Sequence, residues 1–216
     1  MYVPAHFRET RTAAMHAFMR EYSFATLVSH LKGELFASHL PLLLDPGRGP
    51  HGTLLGHMAR ANQQWQGFAP DADCLVMFQG PHAYISPSWY ATAPAVPTWN
   101  YVAVHAYGVA SVISDPGRVR DIVEAMVRTF ESGMREPWTT DGLSEDYMQR
   151  MLKGVVAFEI PVARLEGKRK LGQNRAEADM HGAAAGLRQN FTDSGALALA
   201  ELMDDAAAAV PVRSDA

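Results

Sequence analysis

Polar and apolar positions alternate most clearly between Trp99 and Tyr107. Trp99, Tyr101, Ala103, His105 and Tyr107 share one side, and Asn100, Val102, Val104 and Ala106 the other. Period two, with β-branched and aromatic residues, predicts a strand. Its valine side suits a core. Its ring side suits either an ordinary aromatic core or a partner subunit or planar ligand. Glu9 to Tyr22 predicts a helix, with Met15, Phe18, Met19 and Tyr22 on one face. Phe24 to Leu44 predicts two strands turning at Lys32-Gly33, where glycine supplies a positive φ. Asp45 to Gly52 reads as a loop. The segment from Gly52 to Trp65 starts as a strand and is expected to become helical near His57. Cys74 to Phe78 reads as a short buried strand, and His82 to Ser86 as a continuation of the sheet.

Beyond the alternating run, Val109 to Ile113 extends a strand. Asp115 and Pro116 predict a helix N-terminus, followed by a stripe of Val119, Ile122, Val123, Met126, Val127 and Phe130. Ser144 predicts another cap, for a helix that turns Tyr147, Met148, Met151 and Leu152 inward. Gly154 to Val162 reads as a strand. Arg164 to Arg175 is the most basic segment of the chain. Asn174 to Leu187 reads as a helix weakened by Gly182 and Gly186, and Ser194 to Ala209 as an alanine-rich helix. The last residues, VPVRSDA, read as a frayed end. Short strands with interspersed helices predict a mainly β architecture with peripheral helices (α+β), a small barrel rather than a doubly wound sheet.

At 216 residues, 48% of them hydrophobic, the chain can bury one sizeable core. The only cysteine, Cys74, excludes an internal disulfide framework and a CxxC zinc site, and it sits in an apolar run as a small buried hydrophobe. No run is long and apolar enough for a membrane helix, and the N-terminus lacks the order of a secretory signal. The expected setting is cytoplasmic. A net charge of −4 argues against broad nucleic-acid affinity. Nine histidines show no HExxH spacing, so no metal site is assigned, and GxSxG, Walker A and GxGxxG motifs are absent.

Two polar constellations stand out. His57, Arg60 and Asn62 open the expected helical segment, where free N–H groups and a guanidinium fork suit a phosphate; the alternative is a solvated helix face. Lys168, Arg169, Lys170, Gln173 and Asn174 form a second group, whose alternative is an exposed turn. Ser38 and His39 add possible donors from a strand end. Together these suit a ligand with a flat ring system and one phosphate.

GPHAYISPSWY, VPTWNYVAVHAYG, LLGHMARANQQW and EGKRKLGQNR, with MYVPAHFRE at the start, resemble the motif blocks of the PaiB family of FMN-binding negative transcriptional regulators. The likeness runs from Met1 to about Leu187, leaving residues 188–216 as a helical, partly disordered extension to a domain of residues 1–187. One departure is Gly172, where the family has serine. The resemblance implies a split β-barrel of the FMN-binding type, a homodimer with FMN at the subunit interface, and a repressor role, with DNA contacted directly or through another protein. Under that resemblance the phosphate contacts fall to His57, Arg60 and Asn62. Lys170, Gln173 and Asn174 add polar contacts, and Trp89, Tyr90, Thr98 and Trp99 flank the ring or close the interface. Ser38 and His39 complete the set. Alternative readings are an FMN-dependent oxidoreductase using NAD(P)H and a haem-binding split barrel. No side chain demands a general acid or base role.

Overall fold

The computed structural model describes residues 1–209; the heptad read as a frayed end lies outside the described residues. The strands are β1 (Arg8–Glu9), β2 (Phe24–Leu31), β3 (Glu34–Pro41), β4 (Leu43–Asp45), β5 (Thr53–Ala59), β6 (Asp73–Ile85), β7 (Thr98–Val109), β8 (Ser111–Ile113) and β9 (Val155–Lys170). The helices are α1 (Thr12–Glu21), α2 (Pro116–Glu131), α3 (Glu145–Lys153), α4 (Glu177–Asn190) and α5 (Ser194–Ala208). The sheet order is β3-β2-β6-β7-β9-β5-β4, with β1 and β8 also on β9. This is the mostly antiparallel sheet with helices that the sequence predicts. The chain divides into two compact units: residues 12–78 with 105–165, and residues 1–11 with 79–104 and the chain from Glu166. Strands β6, β7 and β9 contribute residues to both.

In the first unit the β2–β3 hairpin turns where expected. Lys32 (φ 54°) and Gly33 (φ 84°) both take positive φ, as a type I′ turn requires. Leu27, Leu54, Met58, Val76, Phe78, Phe158 and Ile160 are all buried to 2% exposure or less. The expected helix near His57 does not form. β5 runs on to Ala59, each residue paired with β9 from Thr53↔Pro161 to Ala59↔Val155. Leu54, Gly56 and Met58 alternate inward along it, so a long-range ladder overrides the helical propensity of Met, Ala, Arg and Gln. Only a short 3-10 turn, Gln63–Gly67, follows, capped by Asn62. α2 starts at the Asp115 cap and α3 at the Ser144 cap, both as predicted. On α3 only Met148 is buried; Tyr147 and Met151 face solvent, contrary to the expected inward stripe.

Further expectations change in β1, β6, β9 and α4. Glu9 is not helical: β1 pairs with β9 at Arg8↔Lys168 and Glu9↔Gly167, and the Glu9 carboxylate holds Arg11 just before α1. β6 is one strand of 13 residues rather than two pieces. β9 continues through the basic segment to Lys170, and of the residues whose alternative was an exposed turn only Gln173 and Asn174 lie in one. Lys168 is 6% exposed, its Nζ donating to the Tyr2 carbonyl at 3.1 Å and lying 5.0 Å from the Tyr101 ring centre. Gly182 and Gly186, which looked like weaknesses of α4, are its contact surface. A Cβ at Gly182 would sit 2.2 Å from the Trp89 carbonyl oxygen, and one at Gly186 2.3 Å from the Trp89 ring.

α4 and α5 are also clamped by charge. Asp204 accepts from Arg188 at 2.7 Å and lies 2.9 Å from His181 Nδ1. That Asp204 contact, helped by Glu177, raises the His181 pKa. The folded state therefore favours the protonated ring. Its contribution is full below the ordinary value of 6.5 and is lost as pH rises through the raised value. Because the ring is half exposed, the effect is screened, below about 1 kcal/mol. His181→Gln is expected to lower Tm more at about pH 6 than at about pH 9, checked by thermal melts at both.

Candidate functional site

Arg60 follows the last residue of β5 and is held on three sides. Its backbone N–H donates to the Gly154 carbonyl, Nε to Lys153 and Nη2 to Val155, each at 2.8 Å. Trp65 Nε1 in turn donates to the Arg60 carbonyl at 3.2 Å. The guanidinium is thus fixed by neutral partners and makes no ion pair among the described residues. It forms part of the wall of a cavity of about 780 Å³, whose other lining comes from Trp65, β8, the start of α2, α3 and β9. The lining mixes apolar residues such as Ile113, Val119, Leu152 and Val156 with Arg60, Arg120, Lys153 and Glu145. That volume lies in the ordinary range for small-molecule sites.

The residues expected beside Arg60 diverge from it. Asn62 Nδ2 donates to Ser38 Oγ at 2.8 Å on β3, while its Oδ1 caps Gln64. His39 is exposed, 3.0 Å from Thr26 Oγ1 and stacked on Phe24. His57 points to α2, with Nδ1 3.2 Å from Met126 Sδ. Burial pushes the His57 pKa down, which disfavours the charged ring. The helix N-terminus invoked for the trio is absent.

The second unit gathers another part of the expected set. Lys170 Nζ donates to Thr98 Oγ1 and, at 2.7 Å, to the Trp99 carbonyl. Burial, with Lys168 nearby, lowers the Lys170 pKa. Trp99 is 55% exposed, with the His82 and Tyr84 rings at 6.3 and 6.2 Å. Gln173 is turned inward on the backbone, accepting from Leu171 N and donating to the Arg169 carbonyl. Asn174 is exposed. Gly172 has φ +96°, a left-handed conformation that glycine adopts without strain and a serine would not. Trp89 and Tyr90 are engaged elsewhere: Trp89 in the glycine groove of α4 and against Phe191, Tyr90 under the Arg175 guanidinium at 3.9 Å. Beside them buried Asp179 accepts from Thr92 N and Oγ1, fixing the exposed loop that leads to β7.

Sequence reasoning missed Trp65, Arg120 and Lys153. Arg120 looked like a surface residue on a helix stripe; its i,i+4 partner Glu124 was the available signal. Among the described residues no three His, Cys, Asp or Glu side chains gather to hold a metal, and no helix is long and apolar enough to cross a membrane.

The mostly antiparallel sheet with its helices has the fold of the split-barrel proteins. The chain belongs to the PaiB family: residues 1–164 match the family described as "Putative FMN-binding domain". It is 40% identical over 205 residues to the protease synthase and sporulation protein PAI 2 of Bacillus subtilis (strain 168), covering 95% of this chain and 97% of that one. It is 29% identical over 234 residues to protein AN0679 of Emericella nidulans, covering 90% and 93%. Among solved structures it resembles the flavocytochrome Anf3 of Azotobacter vinelandii (TM-score 0.61, 13% identity, 79% and 73% covered). The FAD and heme binding protein of Mycobacterium smegmatis is also similar (TM-score 0.58, 15% identity, 76% and 74% covered). At such identities these two speak for the fold alone. FMN is the cofactor of the family, and the cavity's mixture of cationic and apolar lining residues is compatible with it.

Proposed function

We propose that this protein is an FMN-binding negative transcriptional regulator that works as a homodimer. The 40% identity to PAI 2 along nearly its whole length carries the regulatory reading, since that relative is named for protease synthesis and sporulation. Bound flavin would supply a redox-active ring; the chain's own part is to hold and orient it. The proposed phosphate contacts are Arg60 and Asn62, with Ser38 and His39 as weaker candidates; Thr98, Trp99, Lys170, Gln173 and Asn174 are proposed as further contacts from either subunit. His57, Trp89 and Tyr90, expected in the same set, have packing roles in this proposal.

The dimer reading rests on the ring patch of Trp99, Tyr84 and His82. An indole 55% exposed beside a tyrosine 40% exposed is apolar area that a second copy would cover. Trp99→Glu is expected to convert the dimer to monomer, read as a halved mass in light scattering. A dimer of unchanged stability would move the interface elsewhere.

The regulatory reading is tested by a gel shift on the promoter of a protease or sporulation-type gene, repeated at rising salt. A specific complex with the FMN-loaded protein supports it. No complex, together with NAD(P)H oxidation by the flavin, would favour the oxidoreductase.

A further inference from the structure

The lining of the cavity beside Arg60 carries more positive than negative charge. Three cations, Arg60, Arg120 and Lys153, line it against one carboxylate, Glu145. Arg60 spends its bonds on carbonyl oxygens and keeps its charge unneutralised among the described residues. Arg120 is the opposite case. Its Nε donates to Glu124 at 2.8 Å within α2, and its Nη1 to Glu145 at 2.7 Å on α3, both groups being solvent-accessible. An exposed bridge of that kind holds weakly and exchanges partners readily. A fixed guanidinium and an exchangeable one therefore line one cavity together with apolar residues. That arrangement suits an anion carried on an apolar body.

We propose that this cavity takes the phosphate-bearing end of the flavin, with Arg60 as its fixed ligand and Arg120 as an exchangeable ligand that leaves Glu145 for the phosphate. The inference rests on FMN being the cofactor and adds the place and two charges that the motifs do not mark. Glu145 competes with the ligand for Arg120 and repels its phosphate. It therefore sets affinity in the sense opposite to Arg120.

The apoprotein is titrated with FMN and, separately, with riboflavin, which lacks the phosphate, following quenching of flavin fluorescence. Arg120→Gln is expected to weaken FMN about tenfold or more and leave riboflavin within about twofold, the loss of one charge-assisted bond. Glu145→Gln is expected to tighten FMN severalfold with riboflavin unchanged. Thermal melts check that both variants fold. If both variants bind FMN as the native protein does, or if Arg120→Gln weakens FMN and riboflavin alike, the proposal falls while FMN binding stands. If the native protein quenches neither flavin, the cofactor reading itself fails.

Discussion

Arg60→Ala is expected to weaken FMN binding by more than about tenfold, for loss of a positioned charge at the phosphate. It is also expected to lower stability by about 1–2 kcal/mol, because the Lys153 and Val155 carbonyls lose a charged donor. The two effects separate with Arg60→Lys. Lysine keeps the charge but not the planar fork that spans both carbonyls, so it should recover part of the FMN affinity and little of the stability. Titration with FMN and with riboflavin, beside urea unfolding, reads both. Native-like FMN affinity in Arg60→Ala would reduce this residue to a clamp on the end of α3 and move the phosphate elsewhere.

Features fixed by local chemistry were legible in the sequence. The Lys32-Gly33 turn needs two positive φ values, and the caps at Asp115 and Ser144 need a side-chain acceptor one step before a helix; each acts within a few residues. The alternation in β7 also holds, with Asn100, Val102, Val104 and Ala106 buried and Trp99 exposed. What the sequence hid depends on partners far along the chain. The run from His57 to Gln64 is rich in helix formers, yet the β9 ladder takes it as far as Ala59. The basic run to Lys170 looked solvated because nothing near it in sequence announces the Tyr2 carbonyl that receives Lys168. Gly182 and Gly186 read as helix breakers because the indole that fills their groove lies some 90 residues earlier.

The candidate site divides along the same line. Arg60 and Lys170 were singled out from the sequence as cations of two motif blocks, and the structure fixes each of them on carbonyl oxygens. Arg120 was not singled out, because Arg120 and Glu124 at i,i+4 look like any exposed helical pair, and only the fold brings Glu145 and the cavity to them. His57 shows the converse. Its polar label was read as function, whereas its ring is desolvated against Met126.

Gln64→Ala is expected to cost about 2–3 kcal/mol, the largest stability loss among these substitutions. Gln64 is fully buried, and its Nε2 shares its two hydrogens among the Leu27 carbonyl and Ser29 Oγ, both at 3.0 Å, and the Phe36 carbonyl at 3.1 Å, while its Oε1 has no partner. One amide thereby ties the segment after β5 to both strands of the β2–β3 hairpin. Gly67 repeats the attachment by closeness alone, since a Cβ there would lie 2.1 Å from the His30 carbonyl oxygen. Removing the amide strands buried acceptors and leaves a gap that the short 3-10 turn is too constrained to fill. The urea midpoint should fall with an unchanged slope. FMN affinity should fall with it, because the segment that carries Arg60 and Asn62 loses its seat. An unchanged midpoint would mean that water replaces the amide at no cost, and the segment would then owe its position to Asn62, Gly67 and the Arg60 clamp.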